Sequence, residues 1–143
     1  MALRIHLDVV SVESKIFSGQ VEMVFAPAVM GEVGIAPRHA PLVTVLKPGE
    51  VRACSPGGEE QSFYVSGGIL EIQPHVVTVL SDTALRVHDI DEAKALAAKV
   101  RAEQIMEEYT SEIEYAKARS ELAQAVAQLT ALKRTLKQTG HLK

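Results

Sequence analysis

The stretch GEVGIAPRHAPL, Gly31 to Leu42, constrains how the rest of the chain can fold. Two glycines and two prolines within these twelve residues exclude a regular helix. Proline brings no N–H to a ladder, so an ordinary central strand is excluded too. Val33, Ile35, Ala36, Ala40 and Leu42 make the stretch too apolar for a simple polar loop. Local chemistry leaves three readings open. It is a buried crossover between strands, a shaped contact surface, or a catalytic loop in which Glu32 and His39 work beside Arg38.

On either side the language is that of short strands. Arg4 to Val12 alternates, with Ile5, Leu7 and Val9 on one side and His6 and Asp8 on the other. Glu13–Lys15 reads as a turn and Gly19 as punctuation before a second alternating run, Val21, Met23 and Phe25 against Glu22. Downstream, Val43–Leu46, Val51–Cys54, Phe63–Val65, Ile69–Ile72, Val76–Leu80 and Ala84–Val87 are separated by Lys47-Pro48-Gly49, Ser55-Pro56-Gly57-Gly58, Ser66-Gly67-Gly68 and Pro74. Val76–Leu80 is apolar and largely β-branched, interrupted only by the hydroxyl of Thr78, the expectation for a strand covered on both faces. This spacing predicts about eight to ten strands up to residue 88, in a sandwich or barrel.

After Val87 the pattern changes. Asp89 with Glu92 three residues on reads as a capping-box variant that starts a helix. Ala95, Ala98, Ala102, Ile105 and Tyr109 form a mostly alanine stripe, which lets a partner surface approach closely. Glu107–Thr110 reads as a turn, and Ser111 with Glu114 as a second capping box. Tyr115, Ala118, Leu122, Ala125, Leu129, Leu132 and Leu136 then recur at spacings of three and four, a coiled-coil-like seam that Gly140 is placed to end. Two helices joined by a short turn form an antiparallel hairpin. One internal seam buries little. The hairpin must dock on the sandwich or on another chain, or alternate between them, which is a physical basis for a switch.

The chemistry of a free-standing enzyme is thinly represented. The chain has 143 residues, net charge −3 and one cysteine, Cys54. It therefore needs no disulfide and gives no global reason to expect nucleic acid. Cys54 reads as a small core or surface residue. The five histidines are scattered, and no metal-ligand spacing, phosphate loop or nucleophile elbow is present. The N-terminus lacks the apolar core of a signal peptide and no run approaches a membrane span, so a soluble cytoplasmic chain is expected. The last acid is Glu121, and the end beyond it carries Lys133, Arg134, Lys137 and Lys143. These features favour an interaction protein, a regulatory or coupling subunit. The alternative is a free-standing sandwich that binds a ligand or acts as a hydrolase, with Glu32 and His39 in a deep pocket.

Taken in order, LDVVS (7–11), FSG (17–19), GEVGIAPRHAPL (31–42), FYVSGGILEIQP (63–74), VTVLSDTA (77–84), IDEAKA (90–95) and SELAQAVAQL (120–129) resemble the epsilon-subunit family of bacterial F-type ATP synthases. The resemblance covers the whole chain. It implies a flattened antiparallel β-sandwich of about ten strands over residues 1–88 and an antiparallel α-helical hairpin over residues 89–143. It further implies a non-catalytic rotor subunit of the central stalk, part of a complex that makes ATP from ADP and phosphate with the transmembrane proton gradient. The implied partners are the gamma subunit, the c-ring and, in the inhibited state, the alpha and beta subunits. The implied location is the cytoplasmic face of the cell inner membrane, reached only through the complex.

The resemblance also assigns residues. The stretch 31–42 corresponds to the c-ring end, with Glu32, Arg38, His39, Pro41 and Leu42 as contacts. Arg38 stands where many family members have glycine. Lys133, Arg134 and Lys137 correspond to a regulatory basic helix end that engages an acidic segment of beta; the same residues also suit a solvated helix C-terminus. Some members hold regulatory ATP on a motif of Ile or Leu, Asp, two variable residues, Arg and Ala. Here it reads Ile90, Asp91, Glu92, Ala93, Lys94, Ala95. Lysine in place of arginine keeps the charge and loses the bidentate phosphate fork. Arg101, near the same helix face, is the candidate substitute. No catalytic residue and no metal is implied.

Overall fold

The computed structural model describes residues 3–108 and 111–139. The chain divides into two compact units, one ending at Arg86 and the other starting at Val87.

The first unit holds ten strands. They are β1 (Ile5–Ser11), β2 (Lys15–Val21), β3 (Met23–Ala28), β4 (Gly31–Ile35), β5 (Leu42–Leu46), β6 (Gly49–Cys54), β7 (Glu60–Val65), β8 (Gly68–Ile72), β9 (Val76–Ser81) and β10 (Ala84–Arg86). Their order is β10-β7-β6-β3-β5-β8-β9-β1-β2, with β4 paired to β3 alone. A single pair, Ala28 with Leu46, joins β3 to β5. The sheet folds there into two layers, β10-β7-β6-β3-β4 and β5-β8-β9-β1-β2. Their inner faces supply the core. Val24, Ala26, Ile35, Val51, Ala53, Phe63 and Val65 come from one layer, and Ile5, Leu7, Val9, Leu70, Ile72, Val77 and Val79 from the other, all buried. The far ends of the sheet meet as well. The Phe17 and Phe63 rings lie 5.3 Å apart, and Arg86 Nη2 donates to the Ile16 carbonyl at 3.1 Å.

The pairings are antiparallel with one exception: β1 runs parallel to β9, His6 beside Val76 through Ser11 beside Ser81. The antiparallel expectation fails at that pair because the two strands are joined by a long connection, which permits either direction.

Three other expectations are corrected. A bend at Glu22 resets the alternation, so Val24, Ala26 and Ala28 point into the core, while Met23 and Phe25 lie on the outer face. Gly19 does not interrupt; it lies inside β2, paired with Leu7. The apolar run Val76–Leu80 is covered on one face only, since Val77 and Val79 are buried but Leu80 is 48% exposed. The Ser66-Gly67-Gly68 bend is as expected. Gly68 has φ +127°, and a Cβ placed on it would lie 2.1 Å from the Leu80 carbonyl oxygen, so no side chain fits.

The second unit opens with a single 3-10 turn, Val87–Asp89, followed by α1 (Glu92–Glu107) and α2 (Glu112–Thr139). The first cap is Asp91, whose side chain accepts from the Lys94 N–H, rather than Asp89, which the 3-10 turn has absorbed. The second cap is Ser111, whose Oγ accepts from the Glu114 N–H at 3.1 Å. The two helices pack on each other. Ala95 and Ala102 of α1 and Ala118, Ala125 and Ala131 of α2 are buried, whereas Ile105 and Leu136 are exposed. Small side chains line the contact and the bulkier members of each stripe flank it, so the apolar stripes are wider than the seam itself. Tyr109, Thr110 and Gly140 lie outside the described residues.

Candidate functional site

Gly31 to Leu42 resolves into three parts. Gly31–Ile35 forms β4, an edge strand, which suits its glycines. Ala36–His39 is a turn closed by the His39 N–H to the Ala36 carbonyl at 3.1 Å. Pro37 takes its second position, and Arg38 takes the third with φ +67°, the combination of a type II turn that usually calls for glycine. The Arg38 N–H also donates to the Pro74 carbonyl at 2.9 Å, tying the turn to the β8–β9 connection. Ala40 and Pro41 then lead into β5, where exposed Leu42 pairs with Ile72.

Glu32 and His39 do not form an acid–base pair. His39 Nδ1 is 2.7 Å from its neighbour's carbonyl, Ala40 O. Glu32 Oε2 accepts from Arg52 Nη2 at 2.7 Å. Arg52 stands on β6, so this ion pair reaches across β3. Its guanidinium lies 4.7 Å above the Phe25 ring, with Glu60 Oε2 3.7 Å from Nη1. The ring in turn covers Gly34, where an added Cβ would approach Phe25 Cε1 to 3.3 Å. The outer face of this layer is thus closed by its own side chains.

The outer face of the other layer is not. Val10 pairs with Leu80, Leu80 with Ile69, and Ile69 with Val45. Val29 continues the row, since its N–H donates to the Val45 carbonyl at 3.0 Å beside the Ala28–Leu46 pair. The row crosses five strand positions, about 19 Å at ordinary strand spacing. Val29, Val45, Ile69 and Leu80 are each about half exposed, and Val43 and Met30 beside them more so. An apolar row of this length on a solvent face marks a docking surface. Sequence reading missed it because it depends on the register of several strands. The signal available was the run Val76–Leu80, apolar but for Thr78, whose outward Val76 and Leu80 have no core to enter.

The margin of the row carries a polar cluster. His6 Nε2 lies 3.1 Å from both Asp8 Oδ1 and Ser18 Oγ. Serine, histidine and aspartate are present, but one ring nitrogen serves both partners. No relay from a carboxylate through the opposite nitrogen to a hydroxyl is built, so the cluster is not a hydrolase triad. Burial pushes the Asp8 carboxyl up, but the Ser18 and His6 hydrogen bonds and the charges of His6 and Lys15 outweigh it and hold Asp8 below the usual range. Among the described residues no group of histidine, cysteine, aspartate and glutamate could hold a metal ion.

At the entry to α1 and along it, Ile90 and Ala95 are buried, Asp91 is engaged as the cap, and Lys94 and Arg101 are exposed. Lys133 lines a groove of about 400 Å³ between α1 and α2, together with Glu92, Leu96, Lys99, Leu129 and Leu136. Lys137 is exposed and Arg134 half-buried.

A folded sandwich with one bare apolar face, followed by an alanine-seamed helical hairpin, defines a docking subunit. Residues 4–87 match the family model described as ATP synthase, Delta/Epsilon chain, beta-sandwich domain, and residues 88–133 match its long alpha-helix domain. The ATP synthase epsilon chain of Nitrosococcus oceani is 61% identical over 140 residues, covering 98% of this chain and 100% of the relative. That of Legionella pneumophila is 53% identical, covering 96% and 98%. A chain in the mitochondrial ATP synthase of Euglena gracilis has the same fold with a TM-score of 0.80 at 22% identity, covering 90% of this chain and 81% of that one. The chain belongs to the ATP synthase epsilon chain family, whose members are subunits of the synthase complex. No helix among the described residues is long and apolar enough to cross a membrane.

Proposed function

We propose that this chain is a non-catalytic rotor subunit of the central stalk in a proton-translocating F-type ATP synthase. The apolar row Val10–Leu80–Ile69–Val45–Val29 carries the reading, because a rotor block must be held by a neighbour over a broad dry surface. The gamma subunit is the partner proposed for this row. A sandwich closed at both ends of its sheet is stiff enough to transmit torque. The Gly31–Leu42 stretch is the foot on the c-ring, with Glu32, Arg38, His39, Pro41 and Leu42 presented there. The subunit is peripheral on the cytoplasmic face of the inner membrane and is held there by its partners. Replacing Ile69 and Leu80 together by Glu should abolish binding to a gamma-containing catalytic sector, by more than about a hundredfold, since each charge would be desolvated. The isolated variant should keep its circular dichroism spectrum. Undiminished binding rules out this face as the gamma surface.

The hairpin inhibits ATP hydrolysis by engaging alpha and beta, with Lys133, Arg134 and Lys137 directed at an acidic segment of beta. The support is a helix end without acids beyond Glu121 and a seam of alanines that holds two helices without anchoring them by bulk. Truncation after residue 88 should raise hydrolysis by the assembled enzyme, and an unchanged rate removes the inhibitory role. Regulatory ATP on Ile90, Asp91, Lys94, Ala95 and Arg101 is a separate reading, supported by the two exposed cations on α1. Titration calorimetry up to millimolar ATP tests it, and no heat of binding refutes it.

A further inference from the structure

We propose that Arg52 is a positioning residue for the contact between Glu32 and the c-ring, holding one carboxylate oxygen so that the other faces a cationic side chain of the ring. The inference rests on the proposed ring contact at Glu32 and adds to it a residue and a partner chemistry. β4 is an edge strand that pairs, among the described residues, with β3 alone, so the Glu32 side chain needs a hold of its own. Arg52 supplies it from β6, across the intervening strand. Its side chain is 24% exposed and is fixed on three sides, by the Phe25 ring, Glu32 and Glu60. Glu32, by contrast, is 53% exposed, and only its Oε2 is engaged, so Oε1 accepts nothing among the described residues. A carboxylate held by one oxygen on a planar guanidinium presents the other in a set direction and loses little side-chain freedom on binding. The free oxygen can only accept a hydrogen bond, and the negative charge selects a cation. Glu60 gives Arg52 a second carboxylate, so the guanidinium stays neutralised while Glu32 is shared with the partner.

The test is rebinding of the full-length chain to membrane-bound enzyme depleted of this subunit, compared with rebinding to the soluble catalytic sector, which lacks the ring. Glu32→Gln and Arg52→Gln should each weaken rebinding to the membrane enzyme by about fivefold to tenfold, and the double variant no further, because the two act in series. Rebinding to the soluble sector should stay as it is. If Arg52→Gln weakens both equally, the residue is only structural and the inference fails. If the two substitutions multiply, Arg52 does not act through Glu32 and the inference fails. If Glu32→Gln itself changes nothing on the membrane enzyme, the ring contact fails and takes the inference with it.

Discussion

The two outer faces of the sandwich solve the same problem in opposite ways. Each layer must bury one face in the core and has apolar side chains left over on the other. On the β4-β3-β6 face the excess is Phe25 with Met23, and the molecule covers the Phe25 ring with the Arg52 guanidinium, held by Glu32 and Glu60. On the β5-β8-β9 face the excess is a row of valine, isoleucine and leucine, which no described residue of the unit covers. On the proposed reading, a chain that closes one face with an ion-pair network and leaves the other bare presents the bare face to a partner. The difference also separates two kinds of contact. The bare row offers area and affinity. On the proposed reading, the closed face offers a single directed carboxylate, which supplies orientation.

The comparison can be broken at its glycines. Gly68 starts β8 at the end of the bare row, and an added Cβ would meet the Leu80 carbonyl oxygen at 2.1 Å with φ at +127°. Gly68→Ala must push β8 and β9 apart, which should cost about 3 kcal/mol or more. Gly34 lies under Phe25 on the closed face, and its added Cβ would meet the edge of that ring at 3.3 Å and the terminal methyl of Met23 at 3.4 Å, both ends of movable side chains. Gly34→Ala should cost about 1 kcal/mol, since the ring can shift. Urea unfolding of the two variants checks the ranking, and equal losses would mean that the two faces are equally tolerant.

The turn that carries the chain from one layer to the other offers a smaller effect, of opposite sign. Arg38 sits at φ +67°, a conformation that costs an L-residue about 1 kcal/mol, and its anchoring bond to Pro74 is made by the backbone. Arg38→Gly keeps that bond and removes the strain, while the glycine adds freedom to the unfolded chain. The net expectation is a gain of about 0.5 kcal/mol in unfolding free energy, read from the urea midpoint. A loss would show that the Arg38 side chain holds the turn, against the backbone account.

Much of the fold was legible in the residues because the signals were local. Turn chemistry at Ser55–Gly58 and Ser66–Gly68, alternation in β1, and the Ser111 cap each lie within a few neighbours. Errors arose where two local signals competed or where the deciding contact was distant. Asp89 and Asp91 are equally good caps by type, and only the preceding 3-10 turn selects Asp91. One bend at Glu22 reverses the phase of everything after it in β3. Of the Gly31–Leu42 stretch, the proline-glycine shape and the candidate Glu32 could be read directly. Its ion pair to Arg52 could not, since it spans twenty residues of sequence and skips a strand. The apolar row was hidden for the same reason: Val29, Val45, Ile69, Leu80 and Val10 are neighbours only once the register is known.

The polar margin of the bare face gives the smallest effect. Asp8 shares its outward side of the sheet with Thr78 and Glu71 next to the row, and its carboxyl lies below the usual range in the folded state. A lowered folded value means that the ionised carboxylate stabilises the fold. That contribution is complete above the unfolded value, about 3.9, and is lost as the pH falls through the lower folded value. Asp8→Asn should therefore be less stable than the parent at pH 5. The margin should close as the pH drops below about 4, where the parent loses the same interaction. Urea midpoints of the two proteins between pH 7 and pH 3 measure this directly. A margin that stays constant to pH 3 would mean that Asp8 contributes through its shape and neutral hydrogen bonds, with no part played by its charge beside His6 and Lys15.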